Sequence, residues 1–138
     1  MSESEIEKYI PQRSPFLFVD QIVEAGEDSV VTSFYVKEEH IFCESGFLQE
    51  AGMIENIAQS AAAMEGYAAV HRHEAVKLGF IGAVKNLKIN GRILVGSILT
   101  TTVHAVNEVM GVKIIEGIIR VEDRLIAQCT LQIFLKND

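Results

Sequence analysis

The chain has 138 residues, enough for one domain with a sizeable core. Its 49% hydrophobic and 22% charged residues form a globular balance that excludes a disordered chain. A net charge of −7 argues against a nucleic-acid partner. No apolar run has the length of a membrane span.

The N-terminus, MSESEIEKYI, is acidic and lacks the basic and apolar regions of a signal peptide, so a cytoplasmic location is the expectation. Residues 2 to 9 predict a short helix, because Ser2 with Glu5 and Ser4 with Glu7 fit the capping-box spacing. Pro11 ends it. Pro15 starts an extended segment, and Phe16 to Glu24 is predicted as a mostly buried strand. EAGED is a turn, and Ser29 to Lys37, β-branched and aromatic, completes a hairpin. KEEHIFCESG is an irregular polar connection.

Phe47 to Val70 is the central stretch. Ala51, Ile54, Ile57, Ala58, Ala61, Ala62, Ala68 and Ala69 recur at helical spacing, without a proline. Alanine is the best helix former, and a helix of this length spans about 35 Å at roughly 1.5 Å per residue. A helix apolar over much of its circumference belongs inside a fold. Yet this one carries Glu55, Asn56, Gln59 and Ser60.

AVHRHEAVKLG then forms a polar return loop. Phe80 to Ile89, Ser97 to Asn107, Val112 to Glu122 and Leu125 to Leu135 are predicted strands. In the second of them Thr101, Val103 and Ala105 alternate with Thr100, Thr102 and His104. NGR, NEVMG and EDR are short turns, which imply antiparallel neighbours. One central helix against a curved antiparallel sheet of about six strands is an α+β fold, with residues 1–138 as a single domain. Such a sheet has two open edges, and dimerisation edge to edge would close one of them.

Glu55 is the first candidate for chemistry, with Gln59 one turn further on. A carboxylate held among apolar groups has a raised pKa and exchanges protons near neutrality. The alternative is a carboxylate that faces solvent or caps a neighbour. His40, just before the helix, is either a general base or a loop histidine beside two glutamates. His71 and His73 form an H-x-H pair with no third ligand, so no metal site is expected. His104 lies mid-strand. Cys43 and Cys129 have no metal or redox spacing and read as reduced thiols. Gly79-Phe80-Ile81-Gly82 opens a strand where glycine permits close approach, and Gly46 and Gly52 flank the helix start, where free amides suit a carbonyl oxygen. Together the two are expected to surround a thioester oxygen.

Charge is unevenly spread. Of 19 acidic residues, 14 lie at or before Glu74, and none falls between Glu74 and Glu108, where Lys77, Lys85, Lys88 and Arg92 stand. This basic segment reads either as a docking site for an anionic partner or as a sheet edge protected by lysine.

PQRSPFLFVDQIVE resembles the Pro-His-Arg-x-Pro-Phe-Leu-Leu-Val-Asp opening of the bacterial 3-hydroxyacyl-[acyl-carrier-protein] dehydratases, which have the hot-dog fold. IENIAQSAA resembles their Leu-Glu-Ala-Met-Ala-Gln helix segment. GFIGAVKNLKI is similar to their Phe-Ala-Gly-Ile-Asp-Lys strand, and VGS stands where they have Pro-Gly-Asp. The order of motifs is kept along nearly the whole chain. GFLQEAGMIENIAQ looks closer to a divergent branch, the small dehydratases of aryl-polyene-type pigment clusters, in which unlike subunits can share one site.

The resemblance implies a homodimer or higher homo-oligomer, or a heterodimer with a related subunit, whose two sheets join and whose active site lies at the interface. There a histidine of one subunit removes the α-proton of a 3-hydroxyacyl thioester. A carboxylate of the other helps the hydroxyl leave as water, and no metal or organic cofactor is needed. By position Glu55 is the carboxylate and Gly82 a backbone donor to the thioester. Phe80 and Gln59 join the substrate-binding set. Lys85, Lys88 and Arg92 face the acidic acyl-carrier protein. The family's Gly-His-Phe-Pro motif is replaced by IFCESGFLQEAG, and its first-motif histidine by Gln12. His40 precedes Glu55 by 15 positions, one more than the family's spacing. Two function classes follow: a dehydratase giving a trans-2-enoyl thioester, or a non-catalytic or half-site hot-dog subunit that binds acyl-carrier protein. A thioesterase using the helix carboxylate and water is a third reading.

Overall fold

A computed structural model describes residues 3–76 and 79–135. Ser2, half of one capping box, and Lys77 lie outside them. The elements in order are α1 (Glu3–Ile6), β1 (Gln21–Ala25), β2 (Ser29–Tyr35), β3 (Cys43–Glu44), β4 (Phe47–Leu48), α2 (Glu50–His71), β5 (Gly79–Ile89), β6 (Ile93–Leu94), β7 (Ile98–Val109), β8 (Val112–Val121) and β9 (Arg124–Leu135). A six-stranded antiparallel sheet runs β1-β2-β7-β8-β9-β5, and β3, β4 and β6 form a small second sheet. This is the α+β hot-dog arrangement. The crossover through α2 carries the chain from near one edge, β2, to the opposite edge, β5.

The alternation expected in β7 holds. Thr101 and Val103 are fully buried, while Thr100 and His104 are exposed. Inward residues of β2, β7, β8 and β9, among them Phe34, Leu99, Ile115, Ile119 and Leu131, pack with Met53, Ile57, Ala61 and Met64 of α2. Gly117 of β8 lets the helix lie on the sheet, because a Cβ there would overlap the Ile57 side chain.

A second cluster explains why α2 is apolar on more than one side. Ile6, Ile10, Leu17 and Val19 of the N-terminal arm bury Ala63 on the face away from the main core. The arm runs antiparallel to the helix. Its backbone at Tyr9 touches Gly66, where a Cβ would overlap the Tyr9 carbonyl, and its backbone at Phe16 and Phe18 bonds Gln59. The helix therefore lies between an arm and a sheet.

Most element bounds shift by one to three residues from expectation, and two of the shifts have a clear cause. Phe47 and Leu48 pair with β6 as strand residues, and the helix starts only after Gln49, whose backbone is extended. Leu17 to Val19 is buried, but Phe16 is exposed and the first strand begins only at Gln21. Side chains of α2, rather than a neighbouring strand, satisfy the backbone of Phe16 and Phe18.

Candidate active site

The polar residues of α2 fall into two groups. Asn56 and Ser60 are buried toward the sheet. Asn56 Nδ2 donates to the Phe18 carbonyl (2.8 Å), and Thr101 Oγ1 donates to Asn56 Oδ1 (2.5 Å). Ser60 Oγ donates to the Asn56 carbonyl at 2.7 Å, so the Thr32 hydroxyl, also at 2.7 Å, must be the donor to Ser60. The network ties the arm, α2, β2 and β7 together with every member satisfied, the condition under which buried polar groups hold a fold in register.

Glu55 and Gln59 form the other group. Gln59 Nε2 donates to Glu55 Oε2 (2.6 Å) and to the Phe16 carbonyl (2.8 Å), while its Oε1 accepts the Phe18 N–H (2.7 Å). All three bonds of this amide are thus spent inside the protein. Gln59 fixes the Glu55 carboxylate, and Glu55 itself borders a cavity of about 260 Å³. The helix wall of that cavity is Glu55, Ala58, Ala62 and Glu65, at spacings of three, four and three, which place them on one face. Its floor is Lys113, Ile115 and Ile133, its open side Gly79, Phe80 and Ile81, and Gln12 of the arm closes another side.

β5 is exposed along nearly its whole length, with Phe80 53% and Ile81 41% accessible, and among the described residues it pairs only with β9. Gly82 falls between the paired positions Ile81 and Ala83, where the register shifts. A Cβ at that bulge would overlap the Phe134 ring, so a side chain there would have to push the ring aside.

The histidines lie elsewhere. His40 packs against Phe34 (centroids 4.8 Å apart) and Phe18 (5.8 Å), and its Nδ1 accepts the Lys37 N–H at 3.0 Å. Burial lowers its pKa, Asp20 and Glu39 oppose that, and Lys37 reinforces it. The neutral ring therefore carries its proton on Nε2, which makes it a donor there, the opposite of a base. His71 Nδ1 is 2.9 Å from the Tyr67 carbonyl, His73 follows the end of α2, and exposed His104 pairs with Glu116 across β7 and β8 at 3.4 Å. None of the four borders the Glu55 cavity.

The helix start and Gly79–Gly82, expected to share one carbonyl site, are apart within the protomer. Gln49, Glu50 and Met53 line a cleft with Ile89, Gly91 and Arg92, at the far end of β5 from Gly79. The chain direction of α2 relative to β5 dictates this. In that cleft the Arg92 guanidinium stacks 4.8 Å over the Phe47 ring. Lys85 and Lys88 are exposed on β5. Cys43 and Cys129 are free thiols, Cys129 pushed up to about 11 by burial. Among the described residues no cluster of three or more His, Cys, Asp or Glu could hold a metal ion, and no helix is long and apolar enough to cross a membrane.

Residue-type reasoning missed Gln12, Glu65 and Lys113 as cavity residues. Glu65 had a signal, since it continues the Glu55, Ala58, Ala62 stripe. Lys113 had none, because its place depends on the pairing of β8.

A family model described as ApeP dehydratase, ApeP-like, matches residues 4–138. A 3-hydroxyacyl-[acyl-carrier-protein] dehydratase FabZ of Pseudothermotoga lettingae is 28% identical over 100% of this chain and 99% of its own. Among solved structures, the dehydratase heterocomplex ApeI:P from Xenorhabdus doucetiae aligns with a TM-score of 0.82 at 20% identity, covering 96% of this chain and 91% of that one. A hypothetical thioesterase with coenzyme A from Streptococcus pneumoniae aligns at 0.69 and 12% identity, covering 86% of each chain. The last two likenesses speak to the fold alone.

Proposed function

The chain belongs to the ApeP-like dehydratase family, and we propose that it eliminates water from a 3-hydroxyacyl thioester on an acyl-carrier protein, in a site completed by a second chain. Glu55 passes a proton to the 3-hydroxyl as the C3–O bond breaks. A base takes the α-proton from C2, and the electron pair of that C–H bond becomes the new double bond. The products are a trans-2-enoyl thioester and water. Gly82 and the neighbouring backbone of β5 would receive the thioester, with Phe80 beside it, and Gln59 keeps the carboxylate in place.

The observation that carries the two-chain site is that no histidine of this chain borders the Glu55 cavity, while His40 spends its Nδ1 lone pair on Lys37. We assign the base to an imidazole of a related hot-dog subunit. Geometry supports this. A partner joined across β5 by a twofold or pseudo-twofold relation runs antiparallel to it. The partner's pre-helix loop then approaches the Gly79 end of this strand, where Glu55 waits.

The test is enoyl absorbance with a 3-hydroxyacyl carrier substrate, using the chain alone and co-purified with a hot-dog subunit that has the histidine. Activity should appear in the pair, and Glu55→Gln in this chain should lower kcat by about 10²–10⁴. A chain that turns over alone and loses that activity on His40→Asn would return the base to His40. Release of free acid without enoyl product would favour the thioesterase.

A further inference from the structure

The dehydratase site accounts for the Glu55 end of the cavity but not for the other end. There the Glu65 carboxylate of α2 and the Lys113 ammonium of β8 form an ion pair that bridges helix and sheet. Their side chains are only 27% and 17% exposed. The arm adds a third polar group. It lies antiparallel to α2, with Tyr9 at Gly66 and Phe16 at Gln59, which sets Gln12 level with the turn that carries Ala62 and Glu65. Gln12 Oε1 is buried without a hydrogen-bond partner. So each of the three layers around the cavity contributes a polar group at the same level.

Between the two ends the wall is apolar: Ala58, Ala61, Ala62, Ile115 and Ile133. Ten residues of helix separate Glu55 from Glu65, about 15 Å along the axis. An acyl chain with its 3-carbon at Glu55 runs along alanine and isoleucine and then meets the ion pair.

We propose that Glu65, Lys113 and Gln12 set the acyl specificity of the site, as a polar stop that rejects saturated chains long enough to reach it. The inference rests on the dehydratase reading. Before that point each methylene placed on the apolar wall favours binding by about fourfold. A methyl group pushed past it would strip the remaining water from two charges and leave the Gln12 oxygen facing hydrocarbon. Length therefore helps up to the stop and then costs. Small alanines on the helix wall leave room for the chain's width, so the limit is on reach.

The experiment compares 3-hydroxybutyryl, 3-hydroxyhexanoyl, 3-hydroxydodecanoyl and 3-hydroxypalmitoyl substrates. It reads kcat/KM of the complete assembly on carrier thioesters, and the affinity of the pantetheine thioesters by calorimetry. The wild type should fall at least tenfold between the dodecanoyl and palmitoyl chains in both readouts. Replacing both ion partners by apolar residues of similar size, Glu65→Met with Lys113→Met, should raise the palmitoyl-to-dodecanoyl ratio tenfold or more. Lys113→Arg, which keeps the pair, should retain the cut-off and controls for a general packing defect. A wild type that takes the palmitoyl chain as readily as the dodecanoyl one overturns the proposal, as does a double variant whose length profile superimposes on the wild type. Absence of enoyl product at every length would count against the dehydratase reading, and the calorimetric profile would still decide the stop.

Discussion

Asn56 shows how much one side chain can hold. Its amide joins the Phe18 carbonyl of the arm to Thr101 of β7, and both partners are buried. Asn56→Ala would strand an acceptor and a hydroxyl out of reach of water. At about 1–3 kcal/mol for each stranded group, the expected loss is about 2–6 kcal/mol in denaturant unfolding. His40 makes a different prediction. Its pKa is lowered in the folded protein, first by burial, so its folded value lies below 6.5. Between that value and 6.5 the unfolded chain binds a proton that the folded chain refuses. The stability His40 contributes is therefore present above 6.5 and is lost as pH falls toward the folded value. Wild type minus His40→Asn stability should be larger near pH ~7.5 than near pH ~5, by urea unfolding at both. Gln59 could be singled out from sequence as a polar residue on an apolar helix. That it holds backbone 43 residues away could not, because such a bond depends on how the arm is laid down.

For whole elements, α2 is the part most open to sequence reading. Its alanine-rich period, lack of proline and polar insertions were enough to identify a central helix and to point at Glu55. Its first boundary was not legible, because Phe47 and Leu48 are held by pairing with β6, a strand of two residues with no signature of its own. The arm was hidden for a related reason. Leu17 to Val19 has strand composition, yet its backbone partners are helix side chains. The contact at Gly66 gives this layer a direct test. Alanine is the better helix former by about 1 kcal/mol, so an isolated helix would gain from Gly66→Ala. Here the added methyl would overlap the Tyr9 carbonyl. Displacing the arm should outweigh that gain and leave the variant about 1–3 kcal/mol less stable, measured by thermal or denaturant unfolding.

On the scale of the whole molecule, the six strands of the main sheet and their antiparallel pairing were legible from alternation and short turns, and the open edge followed from them, while the three two-residue strands of the small sheet were not. Which strand ends on that edge was not, since it depends on the long crossover. The structure gives the edge to β5, which carries Lys85 and Lys88 on a protein of net charge −7. If those lysines meet an acidic carrier, Lys85→Glu with Lys88→Glu should weaken carrier binding about tenfold or more at low salt. The difference should shrink as ionic strength rises, by calorimetric titration. Equal affinity of both proteins at low salt would end that docking role.

The position of β5 also bears on when an assembly can form. Among the described residues its one neighbour in the sheet is β9, which is joined to the rest of the sheet only through β8 and β7. Until those three strands have paired, the edge has nothing to rest on and presents no ordered surface. Subunit choice is thereby postponed until the sheet has formed, and a partly folded chain is spared from pairing with other copies before its core has closed.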